Sequence, residues 1–350
     1  MSRKYVTIDT GKYATKVSVY DEKSKNVKKF SIKTASCEGD FRDDAIEECT
    51  AVVQSSILGD NVYKVGNGAR GIGAELKTDK KLDIHKICVA TALANVASEK
   101  EVDDIYVAIL LPAKDWAVVS KREDFREFIL PEGKITTKVK GHGFKAPVEK
   151  SFVVKKRYIF PESMGALFMD EVIGDVSPTS VIGVLDIGNL NLNATLWNGK
   201  DLVQDESTTA DLGGSILIGE LAQEISTNVT SCNEMLAAII LKNGRVPDDI
   251  KVSDEQRKEI DSITARVKKL HAEKIKRVCY ARNWSLDLIK IIAIGGTSKD
   301  LEAELKETFG ENLVVLPSTE YVNSLGALRM MCAKELSEII PFNFAKKQEA

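Results

Sequence analysis

The sequence predicts an α/β fold with two lobes, each containing a mixed sheet flanked by helices, and three observations support this class. Strand-like and helix-like segments alternate through both halves of the chain. A hydrophobic strand, an Asp-x-Gly turn and a second, alternating strand occur at residues 5–19 and again at 182–195. The length of 350 residues suits two lobes of ordinary size better than one small core.

The bulk composition narrows the class of protein. Hydrophobic residues make up 43% of the chain and charged residues 29%, and the net charge of −3 gives no electrostatic reason to expect direct nucleic-acid or membrane binding. The six cysteines lack CxxC spacing and only three histidines are present, so a zinc site is not expected. No apolar run approaches membrane-spanning length, and the chain enters a strand without a signal peptide. We therefore expect a cytoplasmic protein.

The first lobe is predicted over residues 1–176. Its strands are expected at 4–10, 15–20 and about 27–33, then at 105–112 and twice within 134–155, with helices at 83–98 and 119–129. Residues 35–80 are polar and weakly periodic, which indicates a small subdomain. The string Gly66-Asn-Gly-Ala-Arg-Gly71 within it is interpreted as a glycine-rich loop, because neither a following helix nor a ribose-binding acid is evident.

The second lobe is predicted over residues 177–320. The hairpin at 182–195 is followed by a strand near 201–209 and by a helix that opens at Asp211-Leu-Gly-Gly and runs to about 228. A compact helical subdomain is expected at about 230–265, and Ser253-Asp-Glu-Gln256 predicts a capping box at the start of a helix reaching about 282. A buried strand at 288–294 then ends in Gly295-Gly-Thr297 at a helix start. A last strand at 313–316 leads to a C-terminal helix within 321–350, which returns to the first lobe.

Separate segments together supply the groups that a nucleoside triphosphate with magnesium requires. Glycine turns let backbone amides approach phosphate oxygens closely. Asp9 and Asp186 lie at equivalent strand ends and are the expected magnesium ligands, through water, because magnesium prefers oxygen and keeps several waters. Lys16, and more weakly Lys12, would add positive charge. The predicted nucleotide-binding residues are Asp9, Thr10, Gly11, Lys12, Lys16, Gly188, Asn189, Asn191, Gly213, Gly214, Ser215, Gly295, Gly296 and Thr297.

Hydrolysis also needs a group that orients or deprotonates the attacking water. Glu162, in Pro161-Glu-Ser163 at the end of a strand and before a predicted helix, fits this role, and Asp186 is the second predicted catalytic residue. Each piece alone has an ordinary structural explanation, since Asp-x-Gly is usually a turn and Pro-Glu-Ser a helix start. Their conjunction, in this order and on these elements, favours a nucleotide site.

The order of these motifs resembles the actin, sugar kinase and 70-kDa heat-shock chaperone superfamily, and most closely the ParM-type plasmid-segregation actins. The resemblance covers nearly the whole chain and includes Tyr321-Val-Asn-Ser-Leu-Gly-Ala327, which is similar to the segment that joins the lobes in that superfamily. It implies an actin-like, ribonuclease H-like fold with two lobes around a central nucleotide cleft. One departure is Gly188-Asn-Leu-Asn191, where relatives more often have a glycine-rich string.

The resemblance implies a polymerising NTPase that uses ATP or GTP with Mg²⁺ and forms dynamic filaments of itself. Its expected partner is a ParR-type adaptor on plasmid DNA, so that contact with DNA is indirect and no membrane is involved. The host is expected to be bacterial and the gene plasmid-borne. Two alternatives stay open: a non-polymerising ATPase or kinase of the same fold, and a structural filament with weak hydrolysis, which the asparagines after Asp186 favour.

Overall fold

The computed structural model describes residues 2–42, 47–69, 80–141, 144–317, 319–337 and 340. The chain divides into two units, each with its own sheet and core. Unit 1 comprises Met1–Met169 together with Asn323–Ala350, and unit 2 comprises Asp170–Val322. Unit 1 is therefore built from two separate stretches of sequence, and unit 2 from one.

Unit 1 contains a nine-stranded mixed sheet with the strand order β3-β2-β1-β7-β9-β8-β5-β6-β4. Its strands are β1 (Arg3–Thr10), β2 (Ala14–Asp21), β3 (Asn26–Lys33), β4 (Ser36–Glu38), β5 (Thr50–Ser55), β6 (Val62–Gly66), β7 (Asp103–Leu111), β8 (Gly133–Gly141) and β9 (Phe144–Pro161). Its first helices are α1 (Asp83–Val96), α2 (Ala113–Trp116) and α3 (Val119–Ile129). A 3-10 helix, Met164–Phe168, follows β9.

Unit 2 contains a five-stranded mixed sheet with the order β12-β11-β10-β13-β14. Its strands are β10 (Val181–Ile187), β11 (Leu192–Asn198), β12 (Asp201–Ala210), β13 (Lys290–Ile294) and β14 (Leu313–Val315). Its helices are α4 (Asp170–Ile173), α5 (Gly214–Asn228), α6 (Glu234–Asn243), α7 (Asp254–Tyr280), α8 (Gly296–Asp300) and α9 (Glu302–Phe309). The predicted capping box is confirmed, since Ser253 and Gln256 bond reciprocally at the start of α7.

The two sheets share a five-strand arrangement. In unit 1, β3-β2-β1 is an antiparallel meander and β7 and β9 continue it in parallel; in unit 2, β12-β11-β10 and then β13 and β14 do the same. We call β1–β2 the first hairpin and β10–β11 the second. Asp9 lies opposite Lys16 in the first, and Asp186 lies opposite Asn193 in the second. The predicted α/β class with two mixed sheets flanked by helices is confirmed.

Alternate residues of the first strands face two different layers of unit 1. Val6, Ile8 and Val107 join the aliphatic core that α1 and α3 contribute to. Tyr5, Thr7 and Ser18 alternate with them, and the last helix, α10 (Val322–Leu336), bonds to this second face. Thr7 Oγ1 donates to the Ser324 carbonyl at 2.6 Å, and the hydroxyls of Ser18 and Ser324 are 2.8 Å apart. The second stretch of unit 1 thus completes the layer that the first stretch leaves open.

One segment differs from the prediction, and another lies partly outside the described residues. The helix expected directly after Pro161-Glu-Ser163 is wrong in type, because Met164–Phe168 is a 3-10 helix and α4 is only four residues long. Residues 35–80 supply β4, β5 and β6 at one edge of the sheet. Gly66 ends β6 with φ +106°, and Arg70 and Gly71 of the glycine-rich string lie outside the described residues.

Two further properties concern the described residues as a whole. None of the six cysteines forms a disulfide within this part of the chain. No helix among the residues that the structure describes has the length and apolar composition needed to cross a membrane.

Candidate functional site

Asp9 lies near the carboxyl end of β1, where the first hairpin turns. Only 5% of the residue is exposed, and the Lys16 ammonium lies 3.9 Å from its Oδ2. Lys16 is a quarter exposed because it stands on the return strand, opposite Asp9. The hairpin therefore presents a carboxylate and a cation together at one end of the sheet, as the sequence predicts.

The turn of the first hairpin requires glycine. The Gly11 amide donates to the Asp9 carbonyl at 2.9 Å, and a Cβ at Gly11 would collide with the Ala14 carbonyl. Thr34, which directly follows β3, donates a hydrogen bond from its hydroxyl to the Gly11 carbonyl at 2.7 Å. These contacts fix the course of the backbone between Asp9 and Lys12.

Glu162 lies at the same edge of the sheet as Asp9. Strands β1, β7 and β9 run parallel, so their carboxyl ends meet at one edge, which is where ligands bind in open α/β sheets. Glu162 directly follows β9, and its amide donates to the Leu111 carbonyl at the end of β7 at 2.8 Å. The residue is 6% exposed. The structure thus brings together the predicted unit 1 residues, namely Asp9, Thr10, Gly11, Lys12, Lys16 and Glu162.

Lys80 joins this group and was missed by sequence reasoning. Its ammonium lies 2.8 Å from Glu162 Oε1 and also donates to the Thr10 carbonyl of the first hairpin. Both side chains of the pair are more than nine-tenths buried. A buried ion pair has an uncompensated charge when either partner is removed, so the two side chains depend on each other. No motif surrounds Lys80 in the sequence, and only the fold brings it to Glu162.

Two lysine side chains act electrostatically on the start of α1. His85, fully buried in the first turn of that helix, has its pKa lowered from 6.5 to about 3, first by burial and then by the charges of Lys80 and Lys12. Lys12 of the first hairpin and Lys80 of the segment before α1 therefore both act on the His85 ring. The N-terminal end of a helix adds partial positive charge of its own. This surrounding suits an anionic ligand.

The second hairpin is held to two other glycine segments of unit 2. The amides of Gly213, Gly214 and Ser215 donate to the carbonyls of Leu190, Gly188 and Asn189 at 3.2, 3.0 and 2.7 Å. The Thr297 hydroxyl also donates to the Gly188 carbonyl, at 3.0 Å. The predicted unit 2 residues Asp186, Gly188, Asn189, Asn191, Gly213, Gly214, Ser215, Gly295, Gly296 and Thr297 thus lie on three segments that contact one another.

Close backbone approach explains the glycines of unit 2. A Cβ at Gly214 would lie 2.6 Å from Thr297 Oγ1, and one at Gly213 would collide with the Asn189–Leu190 backbone. Gly295 has φ +90°, and a Cβ there would lie 2.8 Å from Asp186 Oδ1. The amides of Gly213 and Gly214 bond within the protein, so their direct contact with a nucleotide stays a prediction.

His271 on α7 supports the Leu212-Gly-Gly turn from behind and was also missed by sequence reasoning. Its Nε2 lies 3.2 Å from the Leu212 carbonyl, and the residue is fully buried. Burial is the main cause that lowers the pKa of His271, which favours the neutral ring. His271 lies well inside α7 and is not part of any motif, so the sequence gave no signal for its role.

Each of the two predicted aspartates, taken within its own unit, is a donor of the kind that suits a hydrated magnesium ion. Asp9 and Asp186 are each at least nine-tenths buried, and each offers a carboxylate at the end of a hairpin. Carboxylate oxygen is the ligand that Mg²⁺ prefers in proteins, and the ion usually keeps several of its waters. Among the described residues, no group of three or more His, Cys, Asp or Glu side chains is placed to hold a metal ion. The two aspartates belong to different units.

Comparison with known families and structures places these residues in context. Residues 7–165 match the family model described as the actin like proteins N terminal domain. No curated protein sequence matches the chain.

Several solved structures are similar over almost the full length. The archaeal actin homolog Ta0583 is 17% identical, with a TM-score of 0.76, over 97% of this chain and 100% of its own. The Alp12 filament structure gives a TM-score of 0.70 at 20% identity over 95% of this chain and 99% of its own. The apo psk41 ParM protein gives 0.71 at 15% identity over 97% and 100%. The actin-like fold that the resemblance implied is confirmed.

Proposed function

We propose that this chain, whose residues 7–165 match the actin like proteins N terminal domain and whose fold is actin-like over almost its full length, is a polymerising nucleoside triphosphatase. One observation carries the proposal. The two sheets share the same strand arrangement, and in each the first strand of a hairpin has a nearly buried aspartate near its end, just before a turn that contains glycine. ATP or GTP is the proposed substrate, and magnesium is the proposed ion.

The chain's own residues divide the work of nucleotide binding. Bound magnesium would neutralise part of the triphosphate charge. Asp9 and Asp186 would accept hydrogen bonds from its waters, which suits carboxylates that are held rigidly at strand ends. Lys16, Lys12 and the turn at Gly11 would hold phosphate oxygens, and the segments at Leu212–Ser215 and Gly295–Thr297 would hold the nucleoside.

Glu162 would orient the attacking water and accept its proton. A carboxylate can do this only while it can accept a hydrogen bond, and here its Oε1 is engaged by Lys80. A triphosphate is a stronger anionic partner for an ammonium than a single carboxylate, because it offers several charged oxygens. We therefore infer that Lys80 turns toward phosphate when nucleotide binds, which leaves Glu162 available to water.

Filament formation and its biological use complete the proposal. An Alp12 filament and a 15-stranded ParM filament from Clostridium botulinum are among the similar solved structures, and this chain shares their fold at 20% and 16% identity. The proposed partners are further copies of the chain and a ParR-type adaptor that links the filament to plasmid DNA in the bacterial cytoplasm. Direct DNA contact is not required, in keeping with the net charge of −3.

Sedimentation with phosphate release tests the proposal. The purified chain is incubated with Mg²⁺ and ATP, GTP or a non-hydrolysable analogue, and pellet and free phosphate are followed over time. A pellet that forms with nucleotide and declines as phosphate appears supports the proposal. Hydrolysis without a pellet at any concentration would instead assign a non-polymerising enzyme, and a lasting pellet without phosphate would assign a structural filament.

A further inference from the structure

We propose that Asn323 is a positioning residue for Glu162: its side-chain carbonyl holds the Ser163 amide, and with it the direction in which Glu162 points. The inference rests on the proposed hydrolytic function of Glu162. It concerns a residue of α10, far from Glu162 in sequence and outside every segment assigned to the nucleotide. Asn323 is assigned no contact with the reacting atoms and acts only through the turn that carries Glu162.

The backbone after Glu162 adopts a conformation that serine rarely takes. Ser163 has φ +70°, in the left-handed region, where a side chain other than glycine costs about 1 to 2 kcal/mol. Its amide donates to Asn323 Oδ1 at 2.9 Å, and both residues are more than nine-tenths buried. Without that acceptor the buried amide would lose its partner and the turn could relax toward negative φ. The hydrogen bond therefore selects the strained conformation.

Asn323 is itself held in place. The next residue, Ser324, accepts through its backbone carbonyl a hydrogen bond of 2.6 Å from the Thr7 hydroxyl, a contact that does not depend on the Ser324 side chain. Gly326, one turn along, meets the backbone of Gly165 so closely that a Cβ would collide with it. The first turn of α10 is thereby anchored to β1, the strand that bears Asp9, and to the 3-10 helix after Glu162. An acceptor on so fixed a support can define the geometry of the turn.

Two consecutive peptide groups then determine the orientation of Glu162. Its own amide is bound to the Leu111 carbonyl at 2.8 Å, and the following amide is bound to Asn323. With both held, the Cα–Cβ direction of Glu162 has little freedom, and its carboxylate meets Lys80. Loss of the second bond frees one side of this arrangement. A displacement of about 1 Å at a catalytic group can slow a reaction by up to about 100-fold.

The test compares variants of the full chain in nucleotide hydrolysis. Asn323→Leu keeps the shape of the side chain and removes the acceptor, whereas Asn323→Asp keeps an acceptor oxygen in the same place. Ser324→Ala is the matched control, because it removes the Ser18 contact of the same helix turn and leaves Ser163 bound. Nucleotide KM, kcat for phosphate release and the thermal unfolding midpoint are measured for each.

We expect Asn323→Leu to lower kcat by about 10-fold with KM within about twofold, as when only a transition-state interaction is lost. Asn323→Asp should retain most of the rate, and Ser324→Ala should match the wild type. In a Glu162→Gln background Asn323→Leu should cause no further loss, since both changes act on one group. Asn323→Ala serves as the second variant if the leucine does not fit.

Several results would overturn the inference. These are an unchanged kcat in a folded Asn323→Leu chain, equal losses in the aspartate and leucine variants, or an equally slow Ser324→Ala. Additive losses with Glu162→Gln, or unfolding of both Asn323→Leu and Asn323→Ala, would also reduce Asn323 to a structural residue. A wild-type chain that hydrolyses no nucleotide would instead refute the proposed function itself, and the positioning role would fall with it.

Discussion

The ion pair between Glu162 and Lys80 concentrates the chemistry of unit 1 in two side chains. Glu162 comes from the end of β9 and Lys80 from the residues before α1, and the Thr10 carbonyl binds the same ammonium. The carboxylate proposed to orient water and the ammonium proposed to bind phosphate thus form an ion pair with each other. Each of them can be changed separately, so their two roles are separable by experiment.

Replacement of Glu162 should uncouple hydrolysis from binding. We expect Glu162→Ala or Glu162→Gln to slow phosphate release by about 100-fold, because general base groups contribute on that order. Nucleotide affinity should be largely retained and filaments should persist longer. Phosphate release and sedimentation from one sample provide the measurement. Hydrolysis at the wild-type rate would show that another group orients the water.

Replacement of Lys80 should lower the free energy of unfolding. Lys80→Met leaves the Glu162 carboxylate buried without its ammonium, and breaking a buried pair in this way costs about 3 kcal/mol or more. The double variant Lys80→Met with Glu162→Gln should recover most of that loss, since no unpaired charge remains. Denaturant unfolding of the wild type, both single variants and the double variant measures the coupling. Additive losses would contradict the interdependence of the pair.

Ser163 should tolerate, and profit from, replacement by glycine. Relief of the positive φ, worth about 1 kcal/mol, is nearly offset by the larger backbone entropy that glycine has in the unfolded chain. The hydroxyl decides the sign, because Ser163 Oγ is buried without a hydrogen-bond partner among the described residues and such a group costs about 1 kcal/mol or more. We expect Ser163→Gly to raise the free energy of unfolding by about 1 kcal/mol. Ser163→Ala, which removes only the hydroxyl, is the control; a destabilised glycine variant would contradict the prediction.

At the scale of elements, the first turn of α1 contains a buried histidine whose protonation should affect the stability of the fold. His85 is fully buried, its ring nitrogens have no hydrogen-bond partner among the described residues, and its pKa is lowered from 6.5 to about 3. The folded chain therefore favours the neutral ring. Its contribution to stability is complete above pH 6.5 and is lost progressively as pH falls toward 3.

His85→Leu should remove this acid sensitivity. Between pH 6 and pH 4 we expect the wild type to lose up to about 1.4 kcal/mol per pH unit more than the variant, the limit for one proton. Near pH 8 the two should have similar stability, because leucine forfeits no hydrogen bond there. Free energies of unfolding across this pH range measure the difference. Parallel curves for the two chains would show that His85 titrates normally.

Local sequence signals predicted the elements that local physics determines. The capping box at Ser253 and Gln256, the two hairpins and the strand before Gly295-Gly-Thr297 all depend on residues close in sequence. Long-range contacts were out of reach. Lys80 contacts Glu162 from a distant part of the sequence, and β4, β5 and β6 join the sheet edge from a segment without clear periodicity. The 3-10 helix Met164–Phe168 begins directly after Ser163, whose amide bonds to Asn323 near the far end of the chain.

At the scale of the whole molecule, each unit contains one of the two aspartates that we propose as partners of magnesium. We expect Asp9→Asn and Asp186→Asn each to weaken Mg²⁺-dependent nucleotide binding by about 10-fold, as loss of a partner that holds a metal's waters does. If both serve the same ion, the double variant should lose less than the sum of the two. Fluorescent-nucleotide titration with and without Mg²⁺ measures this, with the exposed Asp205→Asn as control. Fully additive losses would assign the aspartates to separate functions.

The division of unit 1 between two stretches of sequence has a consequence for synthesis of the chain. The ribosome completes unit 2 before residues 323–350 emerge, so the sheet that bears Asp9 waits without α10 while its neighbour can already fold. The waiting face carries the hydroxyl groups of Thr7 and Ser18, which can bond to water in the interval. The part of the protein that is made first is thus finished last.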